Sequence, residues 1–433
     1  MKMYVHNSFK AFQTISSGSP WVSIFLLALL SPLYLFPSPA SLWLFLLLPL
    51  FWLSCLLLKK SCIKATPLDW GILLLLGQVL LTCLIVPDVR QSLPKIIGIL
   101  FSVSVFFATV SVLRTDALVR WGILAFLIGS AAFSAVAWLG MITFEKKLSV
   151  QAQGVRENLP RLQFGLPGAE EGFHPNAVGG TLVLIAPVFV TLFLFGLAAR
   201  KPRLFKGAWL TPFLTAGLGM AGWTLFRTQS RGSWLGLVLG GLLIAPLLIR
   251  GRRAKTAAWI SIPLILVLMV LAYSLLVVKD NAPLSSVEMM RKIGERTSIW
   301  KAGLDRIAAH PWTGIGLNRF RYDIQVGYKT AHAHNHFIHT AAELGIPGAI
   351  ALASLIIGAL MMFRLLWKNA VQGWKKAAVL GLIWGQTSHL LFGLTDSIPL
   401  GAKTGVFFWI SLALICALYN SARRDSEIPL GAF

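Results

Sequence analysis

The sequence predicts an all-α integral membrane protein with about twelve transmembrane helices. Of its 433 residues, 56% are hydrophobic, and the mean hydropathy is +0.73. Apolar runs close to the ~20 residues that span a bilayer recur along the whole chain. The runs are too long and too continuously apolar for barrel strands, and lipid leaves no water to satisfy an open backbone. We therefore expect a single integral membrane domain over residues 1–433.

The apolar runs also predict where each span begins and ends. Two gaps between them are long enough to form sizeable loops, a smaller one at residues 142–178 and a larger one at residues 279–346. In chain order, the predicted spans are residues 21–37, 41–58, 69–86, 93–113, 117–141, 179–199, 207–226, 232–249, 257–278, 347–367, 376–396 and 404–420.

Lysine and arginine are distributed unevenly between the two ends of these spans. With a cytoplasmic N-terminus, the inward ends carry clusters such as Lys59-Lys60 and Arg252-Arg253, whereas the short outward loops carry few basic residues. Cytoplasmic loops of membrane proteins show this excess of positive charge. Both termini are therefore predicted to be cytoplasmic, and both long loops to lie outside the cytoplasmic membrane.

The charge pattern argues against several functions. The net charge of +23 is explained in large part by basic residues that set topology and face anionic lipid, so we expect no nucleic-acid partner. The 16 acidic residues form no DxD pair that would hold a divalent metal on a sugar nucleotide, and we expect no cofactor. The four cysteines show no ligand spacing and are interpreted as small apolar residues, not as disulfides or a zinc site.

The larger loop is predicted to contain two helices. Across residues 286–310, apolar residues recur at mostly helical spacing with charged residues between them, as in an amphipathic helix that lies on the bundle or the membrane surface. Pro311 should end this helix. A second helix is expected over residues 331–344, with Gly345 at its end.

Four histidines crowd the second predicted helix: His332, His334, His336 and His339. At about 100° per residue, His334 points away from the other three. His332 and His336 have the spacing of zinc ligands on a helix, but no neighbouring Cys or acidic residue completes a tetrahedral set, so polar contacts are the alternative. For His334, the alternatives are an inert hydrogen-bonded ring and a general base that moves a proton of a lipid-bound substrate.

Several arginines are candidates for binding phosphate outside the membrane. Arg227 and Arg231 lie four residues apart between the seventh and eighth spans, where they can face one point. Membrane-boundary arginines are more often snorkelling anchors, but two on so short a loop favour phosphate binding, for which guanidinium is well suited. Arg296 adds a third cation, unless it pairs with or stacks on its neighbours. Arg156 and Arg161, in the smaller loop, suit phosphate or acceptor contacts without a spacing argument.

A series of motifs follows one another along the chain after the first five spans. The most specific is His334-Asn335, followed after nine residues by Gly345 and then by Gly348. In their joint order these motifs resemble the signature of bacterial O-antigen ligases, whose superfamily also contains O-antigen polymerases and protein O-oligosaccharyltransferases. The other matching segments are His174–Asn176, Arg231–Leu235, Gly294–Trp300 and Gly314–Gly316.

The resemblance implies a glycosyltransferase of the bacterial inner membrane with its site on the periplasmic face. The implied donor is a polysaccharide on undecaprenyl diphosphate, the acceptor is the lipid A core, and membrane lipids surround the protein. His334 would be the catalytic base, and Arg231, Arg296 and Arg227 would bind the donor diphosphate in place of a metal. The expected auxiliary residues are Asn335, His332, His336, Asp396, Arg156 and Arg161, and the motif glycines are Gly345 and Gly348.

Two alternatives remain open from the sequence. A polymerase or protein O-oligosaccharyltransferase of the same superfamily would share the motifs. A transporter of lipid-linked glycans would use the same arginines to bind a lipid diphosphate. Against a transporter, titratable groups deep inside the spans are few, and the candidate site lies at the outer rim of the membrane.

Overall fold

The computed structural model describes residues 21–57, 64–141, 163, 165–166, 169–170, 172–198, 205, 207–249, 251, 253, 256–257, 286–324, 330–368 and 373–426. Within these ranges all regular elements are helical, apart from the isolated bridges Met141–Phe173 and Leu166–Ala169. The helices are α1 Trp21–Leu35, α2 Pro39–Phe45, α3 Leu47–Leu57, α4 Asp69–Ile85, α5 Val89–Val112, α6 Asp116–Gly140, α7 Pro175–Ala198, α8 Leu210–Thr228, α9 Arg231–Ile244, α10 Ser286–Ala309, α11 Phe320–Asp323, α12 His336–Lys368, α13 Trp374–Gly393 and α14 Val406–Ser426.

The predicted all-α membrane architecture is confirmed. Six described helices are long and apolar enough to cross a membrane: α5, α6, α7, α9 with the 3-10 turn that follows it, α12 and α14. Shorter apolar helices occur at α1, α4 and residues 43–55. The predicted ninth span, residues 257–278, lies outside the described residues except for residue 257.

Two local predictions need correction near the start of the chain. The second predicted span, residues 41–58, is divided at Leu46, because Pro49 cannot donate a backbone hydrogen bond to the carbonyl of Phe45. The prediction that no cysteine forms a disulfide is wrong for Cys55, which is disulfide-bonded.

The helices that carry the candidate site pack closely around α7, which contacts α8, α9 and α13. On α13, a Cβ added to Gly385 would lie 2.2 Å from the carbonyl oxygen of Leu184 on α7. Small residues that let backbones approach in this way are typical of helix contacts in membranes. The close contact fixes the C-terminal end of α13 beside the N-terminal end of α7.

The amphipathic helix predicted in the larger loop is present as α10, and it packs against α12. Its buried side centres on Ile299, which clusters with Phe320 and Ala333, whereas Leu304 is exposed. The predicted helix is therefore confirmed, but the side that packs inward is the side of Ile299 and not the side of Leu304. This packing places α10 directly over the segment that carries His332 and His334.

Gly345 breaks α12 into two parts, as its predicted position at a helix end suggests. Its φ of 70° and ψ of −179° lie in a region that only glycine occupies readily. The carbonyls freed by this break are bonded by the larger loop, because the backbone N–H groups of Ile315 and Gly316 donate to Ala342 and Glu343, each at 2.9 Å. Gly348, on the next turn, lies against the side chain of Leu344.

Replacing Gly345 by alanine is expected to destabilise the protein by roughly 1–3 kcal/mol, because the backbone conformation is strained for any other residue. The added Cβ would also lie 2.7 Å from the Trp312 carbonyl. A thermal melt of purified protein in detergent measures the effect. Gly294→Ala is the matched control, since nothing lies within 4 Å of its Cβ position on α10. Equal melting temperatures for the two variants would contradict the expected strain.

Candidate functional site

The helix predicted over residues 331–344 begins only at His336, so His332 and His334 lie in a loop, residues 331–335, called here the histidine loop. Helix α12 begins at His336, and Asn335 caps it: the Asn335 side-chain oxygen accepts from the backbone N–H groups of Phe337 and Ile338, each at 3.0 Å. The Asn335 amide also donates to the carbonyl of Leu394 at 3.3 Å. Asn335 therefore ties the start of α12 to the end of α13 and fixes the residue before it.

His334 occupies an unusual backbone conformation, with a φ of 49°. A positive φ is uncommon for residues other than glycine and turns the chain sharply. The turn points the His334 ring toward Asp396, and the two side chains meet with 3.2 Å between Nδ1 and Oδ1. The His334 side chain is 28% exposed, so its ring is accessible to a substrate. The Asp396 side chain is only 5% exposed, so the carboxylate is buried behind the ring.

Asp396 lies in the loop between α13 and α14 and is held from several sides. Asn176, at the start of α7, donates its side-chain amide to Oδ2 at 2.6 Å. The backbone N–H of Ser397 donates to Oδ1 at 2.8 Å. The arrangement resembles a base oriented by a carboxylate that is itself fixed by further hydrogen bonds.

The charges of this cluster determine which ring nitrogen of His334 is free. Burial alone would raise the pKa of Asp396, but the hydrogen bond with His334 and the positive charge on the neighbouring imidazoles when protonated hold it at about 2. An ionised carboxylate only accepts hydrogen bonds, so in neutral His334 the proton lies on Nδ1, facing Asp396. The lone pair of Nε2 then remains available to accept a proton from a substrate.

The other histidines do not form the pair suggested by helical spacing. His332 joins His334, with its Nδ1 3.5 Å from Oδ1 of Asp396, because the chain between them is not helical. Burial lowers the pKa of His332 to about 4, although Asp396 opposes this shift. His336 is buried and lies 3.4 Å from the Ser397 hydroxyl. His339 lies 3.4 Å from the Glu343 carboxylate on the same helix.

Of the possible metal ligands in the described part of the chain, one group converges. His332, His334 and Asp396 each place a ligand atom within 4.8 Å of the others. The ligand atoms that converge are therefore those of His332 and His334, two residues apart, and of Asp396 in a distant loop, and not those of His332 and His336.

The arginine pair predicted at one helical face is divided between two helices. Helix α8 ends at Thr228, and Gln229 adopts a left-handed conformation before α9 begins at Arg231. Arg227 is buried, whereas Arg231 is exposed at the first position of α9. The four-residue helical spacing thus does not apply to them.

Two contacts locate the candidate arginines relative to the histidine loop. A Cβ added to Gly232, next to Arg231, would lie 2.6 Å from the hydroxyl of Thr395, the residue before Asp396. Arg296 is exposed on α10, three residues before Ile299, which packs in the same cluster as Ala333. Arg231 therefore lies on a helix that contacts the loop of Asp396, and Arg296 lies on a helix that contacts the loop of His334.

Sequence reasoning gave no role to Asn176 or Ser397, although both hold Asp396. His174–Asn176 stood out as a matching segment, and this was the signal available for Asn176. Ser397 contributes through its backbone, which carries no sequence signal. The predicted site residues Arg156 and Arg161 lie outside the described residues.

Comparison with known families gives a match to the O-antigen ligase family model over residues 216–353. The matched region contains the arginines of α8, α9 and α10 and the histidine loop, but neither Asn176 nor Asp396. Comparison with curated proteins gives no match. Together with the apolar helices, the family match supports a multi-pass membrane protein with a ligase- or polymerase-type function in general. The match thus supports membership of the chain in the O-antigen ligase superfamily, in agreement with the resemblance of its motifs.

Proposed function

We propose that this protein transfers a preassembled glycan from undecaprenyl diphosphate to the lipid A core at the periplasmic face of the bacterial inner membrane, with both termini in the cytoplasm. The observation that carries the proposal is the contact of His334 with Asp396, in which Nδ1 of a partly exposed imidazole lies 3.2 Å from a buried carboxylate oxygen. When the neutral ring donates its proton from Nδ1 to this carboxylate, Nε2 is left to act as the base. The family match over residues 216–353 supports the class of reaction. The basic residues at the inward span ends support the orientation.

The proposed reaction is a single displacement at the anomeric carbon of the donor glycan. Nε2 of His334 accepts the proton of an acceptor sugar hydroxyl as its oxygen bonds to that carbon. The bond from the carbon to the diphosphate oxygen breaks, and its electron pair leaves with undecaprenyl diphosphate. The anomeric configuration is inverted. Asp396 stabilises the imidazolium that forms without taking the proton itself.

The departing diphosphate needs fixed positive charge, and arginine supplies it in this proposal. Arg231 is exposed at the first position of α9, where the positive end of the helix dipole also favours an anion. Arg296 is exposed on α10, which packs against the loop of His334 through Ile299 and Ala333. Arg227 is buried in the last turn of α8, and we assign it a supporting role for the same diphosphate.

Replacing Arg231 or Arg296 by alanine is expected to weaken donor binding as well as transfer, by about tenfold or more each, because a charge-assisted contact to phosphate contributes roughly 1.5–3 kcal/mol. Arg→Lys variants should recover only part of the loss, since lysine cannot bind phosphate oxygens bidentately. The measurement is the dependence of the transfer rate on donor concentration. Arg319→Ala is the control, because Arg319 is an arginine of the same large loop whose guanidinium is already paired with the Asp323 carboxylate. Unchanged donor dependence in both alanine variants would remove the arginines from the proposed site.

A product assay tests the proposed function itself. Purified protein is incubated with a defined undecaprenyl-diphosphate glycan, with and without lipid A core, and the glycolipids are resolved. Glycan on lipid A core only when both substrates are present supports the ligase. A ladder that grows on the donor alone would overturn it in favour of a polymerase, and movement of lipid between leaflets without a covalent product would favour a transporter. Activity should persist in chelator, because arginine supplies the charge.

A further inference from the structure

Three side chains of the candidate site present ligand atoms to one point. Nδ1 of His334 lies 3.2 Å from Oδ1 of Asp396, and Nδ1 of His332 lies 3.5 Å from the same oxygen. Two donor atoms of a tetrahedral zinc ion are about 3.3 Å apart, given bonds of roughly 2.0–2.1 Å. The two spacings to Oδ1 therefore match those of a metal site as well as those of a hydrogen bond, and all three ligand atoms lie within 4.8 Å of one another.

Two hydrogen-bond acceptors of this cluster, Nδ1 of His332 and Oδ1 of Asp396, face each other. The backbone N–H of His334 points at Nδ1 of His332 over 3.3 Å, so that nitrogen presents its lone pair. The same nitrogen faces Oδ1 of Asp396, which is also an acceptor. Two electron-rich atoms thus lie 3.5 Å apart without a proton between them. A cation here would take over the lone pair that His332 Nδ1 now offers to the His334 N–H over 3.3 Å, and would replace the repulsion by attraction.

The surroundings also suit a bound metal. Asn176 donates to Oδ2 of Asp396, and the backbone N–H of Ser397 donates to Oδ1, so the carboxylate is oriented by groups that would not themselves bind the ion. Outer hydrogen bonds of this kind orient metal ligands in proteins. The side chains of His332 and His334 are 21% and 28% exposed, which leaves access for an ion and an open position for a fourth ligand.

We propose that His332, His334 and Asp396 form an inhibitory site for a divalent transition metal, of which Zn²⁺ is the best fit. Two imidazole nitrogens and one carboxylate oxygen suit zinc and are poor ligands for Mg²⁺ or Ca²⁺. The metal site rests on the geometry alone, whereas its inhibitory effect rests on the proposed function.

The inhibition follows from the position of one proton. Without metal, His334 carries its proton on Nδ1 and offers the lone pair of Nε2 to the acceptor hydroxyl. A metal bound at Nδ1 uses the lone pair of that nitrogen, so a neutral ring must carry its proton on Nε2. The ring then has no lone pair left to accept a proton. The acceptor hydroxyl needs the tautomer with the proton on Nδ1, whereas zinc needs the tautomer with the proton on Nε2. The two therefore cannot use His334 at the same time.

Binding is tested without reference to activity by titrating the purified full-length protein with Co²⁺, which absorbs visible light in tetrahedral sites. We expect one saturable site, displaced by Zn²⁺ and unaffected by Mg²⁺. His332→Gln should lower the Co²⁺ affinity at least about tenfold, and Asn176→Ala by about tenfold, because it removes an outer hydrogen bond. His310→Ala is the control, since His310 is exposed at the end of α10.

The outcomes separate this proposal from the proposed function. The absence of a saturable Co²⁺ site, or equal affinity in His332→Gln and His310→Ala, would overturn the metal site and leave the transfer reaction untouched. In the transfer assay, Zn²⁺ should inhibit and chelator should restore the rate, with at least tenfold more Zn²⁺ needed for His332→Gln. Binding that depends on His332 without inhibition would overturn the inhibitory role and argue against His334 as the base.

Discussion

Replacing His334 by asparagine is expected to lower the rate of glycan transfer on the order of 10²–10⁴-fold, the usual contribution of a general base. The acceptor hydroxyl would then have no group to take its proton as it attacks. Asparagine is preferred to alanine as the test because the φ of 49° at this position is tolerated by asparagine better than by most residues. The backbone turn that directs the loop should therefore survive the substitution.

Three measurements on the His334→Asn variant make the interpretation specific. Protein abundance and thermal stability should remain near wild type, and donor binding should be largely unchanged, because Arg231 and Arg296 are intact. His334→Ala should also lose transfer, with some additional instability. His310→Ala, on the same loop, should transfer at the wild-type rate. Full activity in His334→Asn would remove the proposed base and with it the mechanism.

The Asp396→Asn variant is expected to lose on the order of 10²-fold or more in transfer, through the tautomer of His334 and not through loss of folding. If the new amide places its N–H₂ group toward His334, the imidazole must accept there and carry its proton on Nε2, where it cannot act as a base. If the amide places its oxygen toward His334 and Ser397, Asn176 must rotate to accept from its N–H₂ group, and the negative charge that stabilises the imidazolium is still lost. Donor binding should change little, because the carboxylate is not a proposed phosphate contact.

A second substitution distinguishes this account from general damage to the site. In the double variant Asn176→Asp, Asp396→Asn, the new carboxylate accepts from the new amide, so the amide oxygen can again face His334. We expect the double variant to transfer at least about tenfold faster than Asp396→Asn, since the correct tautomer returns. A double variant no faster than Asp396→Asn, or an Asp396→Asn protein with the wild-type rate, would contradict the orienting role of Asp396.

Much of the architecture could be predicted because hydropathy reports directly on burial in lipid. The all-α class and the long apolar helices are confirmed, and the helix at α10 begins and ends close to its predicted limits. Where the pattern failed, a local cause is visible. The proline after Leu46 divides a span, and Leu304 is exposed because packing on Ala333 and Phe320 selects Ile299 as the inner face.

The candidate site was predicted in part, and its errors have one origin. His334, Asp396 and the arginines were named from residue type, position and motif order, all of which are local. The relation between them was wrong wherever a helix was assumed to be continuous. The cap at Asn335 starts α12 after the histidines, and the turn at Gln229 separates Arg227 from Arg231.

The sequence by itself therefore determined the class of protein, the family resemblance and the residue types able to move a proton or bind phosphate. Only the tertiary structure decided that His334 meets Asp396, 62 residues away, and that Asn176, 220 residues from Asp396, holds the carboxylate in place. The physical reason is that periodicity records how each helix faces its surroundings, whereas these contacts depend on how α13 packs against α7 and α12. That packing is set by glycines and caps whose partners are distant in the chain.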